Sequence, residues 1–157
     1  MPEVNKILAA ICFSDYCDDT FIYATRLAMQ LQAELVVANV INIKDVQAVA
    51  KIESMGYSVS SRDYVKEVEE ERRVELARMI AKSGLPKDKI KSVFKVGHPF
   101  QELIKVVEEE DVDLVVMGHK GRGDLSHLLM GSVAEKMSRH SPVSVVIYRK
   151  KKSGAKS

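Results

Sequence analysis

The stretch Leu114-Val115-Val116-Met117-Gly118-His119-Lys120-Gly121-Arg122-Gly123-Asp124 joins an apolar run to a basic loop rich in glycine. The four apolar residues at its start predict a strand buried on both faces, since strands of parallel sheets form continuous apolar runs. Ten residues after Gly121, Gly131 and Ser132 open a helical pattern. A buried strand, a glycine-rich basic loop and a helix start are typical of phosphate binding, because close backbone N–H groups and the helix dipole attract anions.

Upstream of this stretch, apolar runs and helical stripes alternate. Lys6–Phe13 and Leu35–Ile41 predict two more buried strands, with a helix from about Asp18 to Gln32 between them. Residues 42–60 are the least decided part, and their apolar spacing indicates a short helix that Gly56 would end.

A long charged helix follows, capped by Ser60 or Ser61 and ended near Ser83 by Gly84 and Pro86. We expect the charged segment Lys66–Arg73 to face solvent, and the following residues to face inward: Val65, Val68, Leu76, Met79 and Ile80.

The second half of the chain continues the same alternation. Ile90–Val96 alternates in the manner of a strand near a sheet edge, and Pro99 occupies a favoured first helical position. A helix from about Gly131 to Arg139 and a last strand, Val143–Tyr148, complete the pattern. We therefore predict an α/β fold, an open doubly wound five-stranded parallel sheet of strand order 3-2-1-4-5 with helices on both faces.

Composition and charge restrict the class of protein. The 157 residues suit one domain, expected to span residues 1–149, with a basic and disordered tail at 150–157. Of the 24 basic residues, five lie in the last nine positions, which leaves 19 against 22 acidic residues in the body. The body is therefore not expected to bind nucleic acid in general. No signal peptide and no membrane-spanning run is found, so we expect a cytoplasmic protein.

Two common nucleotide motifs do not fit the glycine loop. It lacks the GxxxxGK[ST] order of a P-loop. It also lacks the GxGxxG order of a Rossmann site, which would follow the first strand and not the fourth. The four histidines and two cysteines lack metal-ligand spacing, so no metal site and no catalytic residue is predicted.

The spacing Gly118-x2-Gly121-x9-Gly131-Ser132 resembles the universal stress protein family in its ATP-binding branch, which carries G-2x-G-9x-G-[S/T]. The resemblance covers nearly the whole chain. It includes these further segments: Lys6-Ile7-Leu8, Phe13-Ser14, Asn39-Val40-Ile41, Val96-Gly97-His98-Pro99 and Pro142-Val143.

The resemblance implies a cytoplasmic, ATP-binding stress-response protein that acts as a nucleotide-dependent switch and is at most a slow ATPase. It implies that Gly118 and Gly121 lie against ribose and phosphates, that Val40 contacts adenine, and that backbone N–H groups of 131–133 meet the phosphates. The whole implied site comprises Ala10, Ile11, Cys12, Val40, Met117, Gly118, His119, Lys120, Gly121, Arg122, Met130, Gly131, Ser132 and Val133.

One position departs from the family pattern. Nucleotide-binding members commonly carry Asp two residues before the serine that follows strand one, and this chain has Cys12 there. We expect nucleoside recognition to be weaker or different, so ATP, AMP or another nucleotide remains open as ligand. Asp15 or Asp124 could hold Mg²⁺ beside the phosphates, and Cys17 at a helix start could have a lowered pKa.

The last predicted strand also indicates a partner. Val143–Tyr148 is apolar and ends the strand order, so one of its edges carries unpaired backbone groups. We expect a homodimer through this strand, as the resemblance also implies. The alternative function is a dimeric protein-interaction module of the same fold that binds no nucleotide.

Overall fold

Strands and helices alternate along the chain in the computed structural model, which describes residues 3–13, 17–120 and 130–150. The strands are β1 Lys6–Ala10, β2 Glu34–Asn42, β3 Ile90–Gly97, β4 Leu114–Gly118 and β5 Ser144–Tyr148. The helices are α1 Cys17–Leu31, α2 Ile43–Ser54, α3 Ser61–Ser83, α4 Pro99–Glu109 and α5 Ser132–His140, with a short 3₁₀ turn at Lys87–Lys89.

The five strands form one parallel sheet of order β3-β2-β1-β4-β5, which confirms the predicted fold class. Strand β1 is central, and its Ala10 is in register with Ala38 on one side and Met117 on the other. From β1 the chain adds β2 and β3 on one side of the sheet and then β4 and β5 on the other, so the strand order reverses between β1 and β4. In open α/β sheets, ligands bind at the carboxyl ends of the strands beside such a point.

The central strands bury both faces, as their continuous apolar runs require. On one face Ile7, Leu35 and Val116 pack with α1 and α3, where Phe21 and Leu76 are buried. On the other face a second core joins the sheet to α4 and α5, through Leu8, Val36, Val115, Leu103, Val106 and Met137. The helices therefore cover both faces, as predicted.

Several boundaries differ from the sequence prediction, and one undecided stretch is resolved. Strand β1 ends at Ala10, three residues early, and Phe13 adopts a positive φ of 54° that turns the chain away from the sheet. Strand β5 begins one residue late, since the N–H of Val143 donates to Ser141 Oγ at 3.2 Å. The undecided stretch 42–60 contains α2, where the Asn42 side chain accepts from Lys44 N at 3.0 Å.

The ends of α3 follow the prediction. The Ser60 hydroxyl accepts a hydrogen bond from Asp63 N at 3.2 Å, and Gly84 ends the helix with a left-handed φ of 76°. None of the helices in the described ranges is long and apolar enough to cross a bilayer. The predicted tail lies outside the described residues except for Lys150, whose ammonium is 3.2 Å from Asp19 Oδ2.

Candidate functional site

A cavity of about 610 Å³ opens at the carboxyl ends of β1, β2 and β4. This volume lies within the range that small-molecule sites occupy in proteins. The strand ends, α2, α3, and the starts of α4 and α5 supply its walls, so the cavity lies at the point where the strand order reverses. Its described lining is Ala10, Ile11, Cys12, Ala38, Val40, Asn42, Asp45, Ala48, Tyr64, Arg72, Pro99, Leu103, Met117, Gly118, Lys120, Ser132, Val133 and Ala134.

The fold brings together most of the predicted site residues. Nine of them line the cavity: Ala10, Ile11, Cys12, Val40, Met117, Gly118, Lys120, Ser132 and Val133. Three others, His119, Met130 and Gly131, are neighbours of these in the chain but do not line it. The predictions for Gly121 and Arg122, and those for Mg²⁺ at Asp15 or Asp124, lie outside the described residues.

The start of α5 forms one part of the cavity wall. Helix starts leave backbone N–H groups without partners inside the helix. The N–H of Gly131 donates to the His119 carbonyl at 2.6 Å, so this group is already bonded and does not face a phosphate, contrary to the expectation. The groups at Ser132 and Val133, which both line the cavity, therefore remain as the donors that this helix start presents.

Lys120 places a positive charge at the cavity. Its side chain is only 4% exposed although it carries an ammonium group. Within the described residues no carboxylate lies at ion-pair distance from it. A buried charge is stable when it is paired, so an anionic ligand is a suitable partner for this side chain.

Gly118 is required by packing at the end of β4. A Cβ atom at this position would lie 3.2 Å from Thr20 Oγ1 and 3.4 Å from the Lys120 carbonyl oxygen. Thr20 is buried on α1 and cannot easily give way. The glycine therefore lets β4 pass close to α1, in addition to the role beside a ligand that the resemblance implies.

Arg72 is the functional candidate that the sequence prediction placed wrongly. It was expected on the solvent face of α3, but it is only 9% exposed and lines the cavity. Its Nη1 donates to Asn39 Oδ1 at 2.6 Å, and its guanidinium lies 5.9 Å from the centre of the Phe13 ring. The helical spacing Val68, Arg72, Leu76 is the signal that could have located it, since residues four apart share a face.

Helix α2 and the start of α3 form a wall that the prediction also left out. Asn42, Asp45, Ala48 and Tyr64 all line the cavity. No residue of α2 is fully buried, so this helix lies as an outer layer over the cavity and not as part of a core. The apolar pattern of 42–60 therefore marked a helix at the rim of the site.

Cys17 does not have the lowered pKa expected for a helix start. Burial raises the pKa of the thiol to about 12, against the lowering effect of a hydrogen bond from the Phe13 backbone. Removal of water disfavours the thiolate more strongly than the helix start stabilises it. Cys12 is half-buried and lines the cavity.

Metal-ligating side chains do not cluster in the described part of the chain. No group of three or more His, Cys, Asp or Glu residues there could hold a metal ion. Among the described lining residues, Asp45 is the single carboxylate, and its side chain is exposed at the rim. The site as described thus combines two buried cations with largely apolar walls.

These features define a doubly wound α/β protein with a ligand cavity at its topological switch point. The profile of the universal stress protein family matches residues 3–149, nearly the whole chain. The protein belongs to this family, as the glycine spacing and strand ends indicated.

Curated relatives agree with this assignment. Universal stress protein YxiE of Bacillus subtilis is 28% identical over 153 residues, which cover 92% of this chain and 99% of that protein. Universal stress protein MJ0577 of Methanocaldococcus jannaschii is 37% identical over 65 residues. That match spans 41% of this chain and 40% of the relative, so it concerns less than half of either sequence.

Solved structures share the fold at low sequence identity. The MJ0577 structure has a TM-score of 0.78 at 23% identity, and covers 97% of this chain and 100% of that one. UspA of Lactobacillus plantarum has a TM-score of 0.71 at 19% identity, with 95% and 100% covered. A universal stress protein solved in complex with cAMP has a TM-score of 0.61 at 22% identity, with 96% and 100% covered.

Proposed function

We propose that this protein binds an adenine nucleotide, with ATP as the expected ligand, and acts as a nucleotide-dependent regulatory switch in a cytoplasmic stress response. The observation that carries the proposal is the position of buried Lys120 in the same cavity as the start of α5. A cation and a helix N-terminus together form a site for phosphate groups. The opposite walls are apolar, as an adenine ring requires.

The phosphate groups would meet Lys120 and the N–H groups of Ser132 and Val133. Each contact of an anion with a helix start or a cation contributes about 0.3–2 kcal/mol. Several such contacts together with burial of adenine reach about −8 kcal/mol, which corresponds to micromolar affinity. We therefore expect the phosphates to supply much of the affinity.

The adenine would lie between β2 and the start of α4. Val40 and Ala38 from β2, Ala10 from β1, and Pro99 and Leu103 from α4 all line this region. A flat ring fits between apolar walls because it buries a large apolar area. The fold neighbour in complex with cAMP supports an adenine nucleotide as the class of ligand.

The proposal of a switch and not a fast enzyme rests on the polar side chains in the described lining. Its single carboxylate, Asp45, is exposed on α2, and no described histidine lines the cavity. Hydrolysis of a phosphate needs a group that positions or activates water. We therefore propose that turnover is slow at most and that nucleotide binding itself changes the position of α2 or the choice of partner. Mg²⁺ would accompany ATP as its usual counter-ion.

We further propose a homodimer through β5. Among the strands of residues 3–13, 17–120 and 130–150 this strand pairs only with β4, and its four residues Val145–Tyr148 are half-buried in the single chain. An apolar strand with an unpaired edge is a template for another strand. A second copy of β5 would cover these side chains and pair the backbone groups of both edges.

Isothermal titration calorimetry with ATP, AMP and adenosine tests the proposal. We expect micromolar binding of ATP, weaker binding of AMP and the weakest binding of adenosine, because the three ligands carry successively fewer phosphate groups. Cys12 offers the nucleoside no carboxylate that would make up for this loss. Equal affinity for ATP and AMP would contradict the phosphate site. No heat with any of the three at about millimolar concentration would overturn the proposal and favour the interaction module.

A further inference from the structure

Cys12 brings a nucleophilic sulfur to the cavity. It follows the end of β1, is half-buried and belongs to the cavity lining. The second cysteine of the chain, Cys17, does not line the cavity, and burial raises the pKa of its thiol to about 12. A thiol reacts through its thiolate form, and a reagent must be able to reach the sulfur. Cys12 is therefore the cysteine that a small molecule in the cavity can reach.

The register of the sheet brings Cys12 and Lys120 to the same edge. Ala10 of β1 is in register with Met117 of β4, and adjacent strands lie about 4.8 Å apart. Cys12 comes two residues after Ala10, and Lys120 comes three residues after Met117. Both residues belong to the lining of one cavity. A molecule that enters the cavity therefore meets a thiol and an ammonium group beyond two neighbouring strand ends.

Lys120 gives this cavity a preference for anions. Only 4% of the residue is exposed, and within the described ranges no carboxylate forms an ion pair with its ammonium group. A buried charge without a partner favours an anionic ligand, and the start of α5 at Ser132 attracts anions as well. A charged cleft with low-dielectric walls raises the association rate of oppositely charged molecules by about 10- to 1,000-fold.

Thiol–disulfide exchange is a reaction that these two groups support together. The Cys12 thiolate would attack one sulfur of a small disulfide, the bond between the two sulfurs of that disulfide would break, and a new bond would join Cys12 to the attacked sulfur. The other half leaves as a thiolate and takes up a proton from water. The disulfide is itself the oxidant, so the exchange needs no further reactant. A carboxylate on the transferred half would pair with the ammonium group of Lys120.

We propose that Cys12 is a modification site for small disulfides that carry carboxylate groups, and that the resulting mixed disulfide blocks the nucleotide site. This inference rests on the proposed function, because it makes the modification a control of nucleotide binding. The transferred group would occupy the space beyond β1 and β4, beside Gly118, where ribose and phosphates are expected. Exchange with a reducing thiol would remove the group again. The chain would thus bind nucleotide only while Cys12 is reduced.

The first test compares an anionic disulfide with a cationic one. The reduced full chain is incubated at pH 8 with glutathione disulfide or with cystamine, and intact-protein mass spectrometry follows the addition of one group. Each rate is divided by the rate of the same reagent with mercaptoethanol, which corrects for the intrinsic reactivity of the two reagents. We expect the corrected rate to be about tenfold higher for glutathione disulfide, and peptide mapping to place the added group on Cys12.

Four variants test which side chains carry this preference. Cys12→Ser should take up neither reagent, whereas Cys17→Ala should react as the wild type does. Lys120→Met should bring the ratio of the corrected rates to near one, and Lys136→Met, at an exposed position of α5, should keep the wild-type ratio. A wild-type ratio near one, a ratio unchanged in Lys120→Met, or an added group on Cys17 would overturn the inference.

Calorimetry then connects the modification with nucleotide binding. We expect ATP to protect Cys12 from glutathione disulfide, the adduct to bind ATP at least about tenfold more weakly than the reduced chain, and dithiothreitol to restore the affinity. An adduct that binds ATP as tightly as the reduced chain does would overturn the inference while the proposed function stood. A reduced chain that binds no ATP at about millimolar concentration would overturn both.

Discussion

The guanidinium of Arg72 lies 2.6 Å from the side-chain oxygen of Asn39, although the two residues are 33 positions apart in the chain. The same Asn39 side chain donates to the backbone of Ile11 at 2.5 Å. Helix α3, strand β2 and the residue after β1 are thus joined by one buried amide. This connection sets the shape of the cavity wall at the ends of β1 and β2.

Asn39→Leu should destabilise the protein by about 2–4 kcal/mol. The leucine would fill a similar volume but would leave the Ile11 carbonyl and the buried guanidinium without this partner, and each unsatisfied group costs about 1–3 kcal/mol. Urea unfolding followed by circular dichroism measures the change. Gln47→Leu on the exposed surface of α2 is the control, and is expected to stay within about 0.5 kcal/mol of the wild type. Similar losses in the free energy of unfolding of the two variants would show that the hydrogen bonds of Asn39 do not contribute to stability.

Lys120→Met should weaken ATP binding by about tenfold while leaving adenosine binding nearly unchanged. The substitution keeps the length of the side chain and removes the charge that is expected to meet phosphate, an interaction of about 1–2 kcal/mol. Calorimetric titration of both ligands checks it. Lys136→Met, at an exposed position of α5 away from the lining, should bind ATP as the wild type does. A parallel loss of adenosine affinity in Lys120→Met would point to a disturbed fold.

Stability should fall as the pH rises above the ordinary thiol pKa of 9.0, because burial raises the pKa of Cys17 to about 12. Between these values the folded chain keeps the Cys17 proton and the unfolded chain loses it. The unfolded state therefore binds fewer protons and gains relative stability, by at most about 1.4 kcal/mol per pH unit from this group. Urea unfolding at pH 8, 9, 10 and 11 measures the slope.

Two variants test whether Cys17 causes this decline in stability with rising pH. Cys17→Ala should make the decline between pH 9 and 11 shallower, whereas Cys12→Ala should leave the Cys17 contribution in place. An identical slope in Cys17→Ala and the wild type would refute the assignment. The native protein should also be slow to alkylate at Cys17, since the reactive thiolate is scarce at pH 8.

Substitutions at Gly84 should destabilise the end of α3 in a graded way. The residue has a φ of 76°, and a Cβ atom there would meet only Met29 Cε at 4.0 Å. The cost therefore comes from backbone strain and not from a clash: about 1 kcal/mol for Gly84→Ala, less for Gly84→Asn, and more for Gly84→Val. Thermal unfolding of the three variants gives the order. An order that followed side-chain volume alone, with Ala the mildest, would argue for packing instead.

Ile147→Lys should convert the proposed dimer into a monomer. The charge would lie on β5 at the edge of the sheet, where a second strand would have to bury it. Sedimentation velocity measures the mass, and far-UV circular dichroism shows whether the variant folds. Val59→Lys, at an exposed apolar position between α2 and α3, is the control and should remain dimeric. A dimer that survives Ile147→Lys would place the interface elsewhere.

Much of the fold was predictable because its signals are local. Apolar runs such as Leu114–Met117 identify central strands through continuous burial, and Ser60 and Gly84 mark the two ends of α3 through their capping chemistry. The glycine spacing placed Gly118, Ser132 and Val133 at one cavity. These inferences need only residues that are near one another in the sequence.

Other parts of the site were not predictable in this way. Arg72 stands among charged residues and was assigned to solvent, but its position on the inner stripe of α3 and the presence of Asn39 keep it buried. The N–H of Gly131 was assigned to a phosphate, but the His119 carbonyl takes it. Both outcomes depend on a partner from another element.

The sequence by itself determined the alternation of strands and helices, the family and the place of the proposed phosphate-binding end, because hydrophobic period, capping and glycine spacing act over a few residues. Only the tertiary structure decided which polar side chains enter the cavity. It placed Arg72 in the lining of the same cavity as Cys12 and made α2 the outer wall of that cavity. The physical reason is that a charged side chain is buried only where distant elements provide hydrogen-bond partners. Which partners lie next to it is decided when the sheet and helices pack.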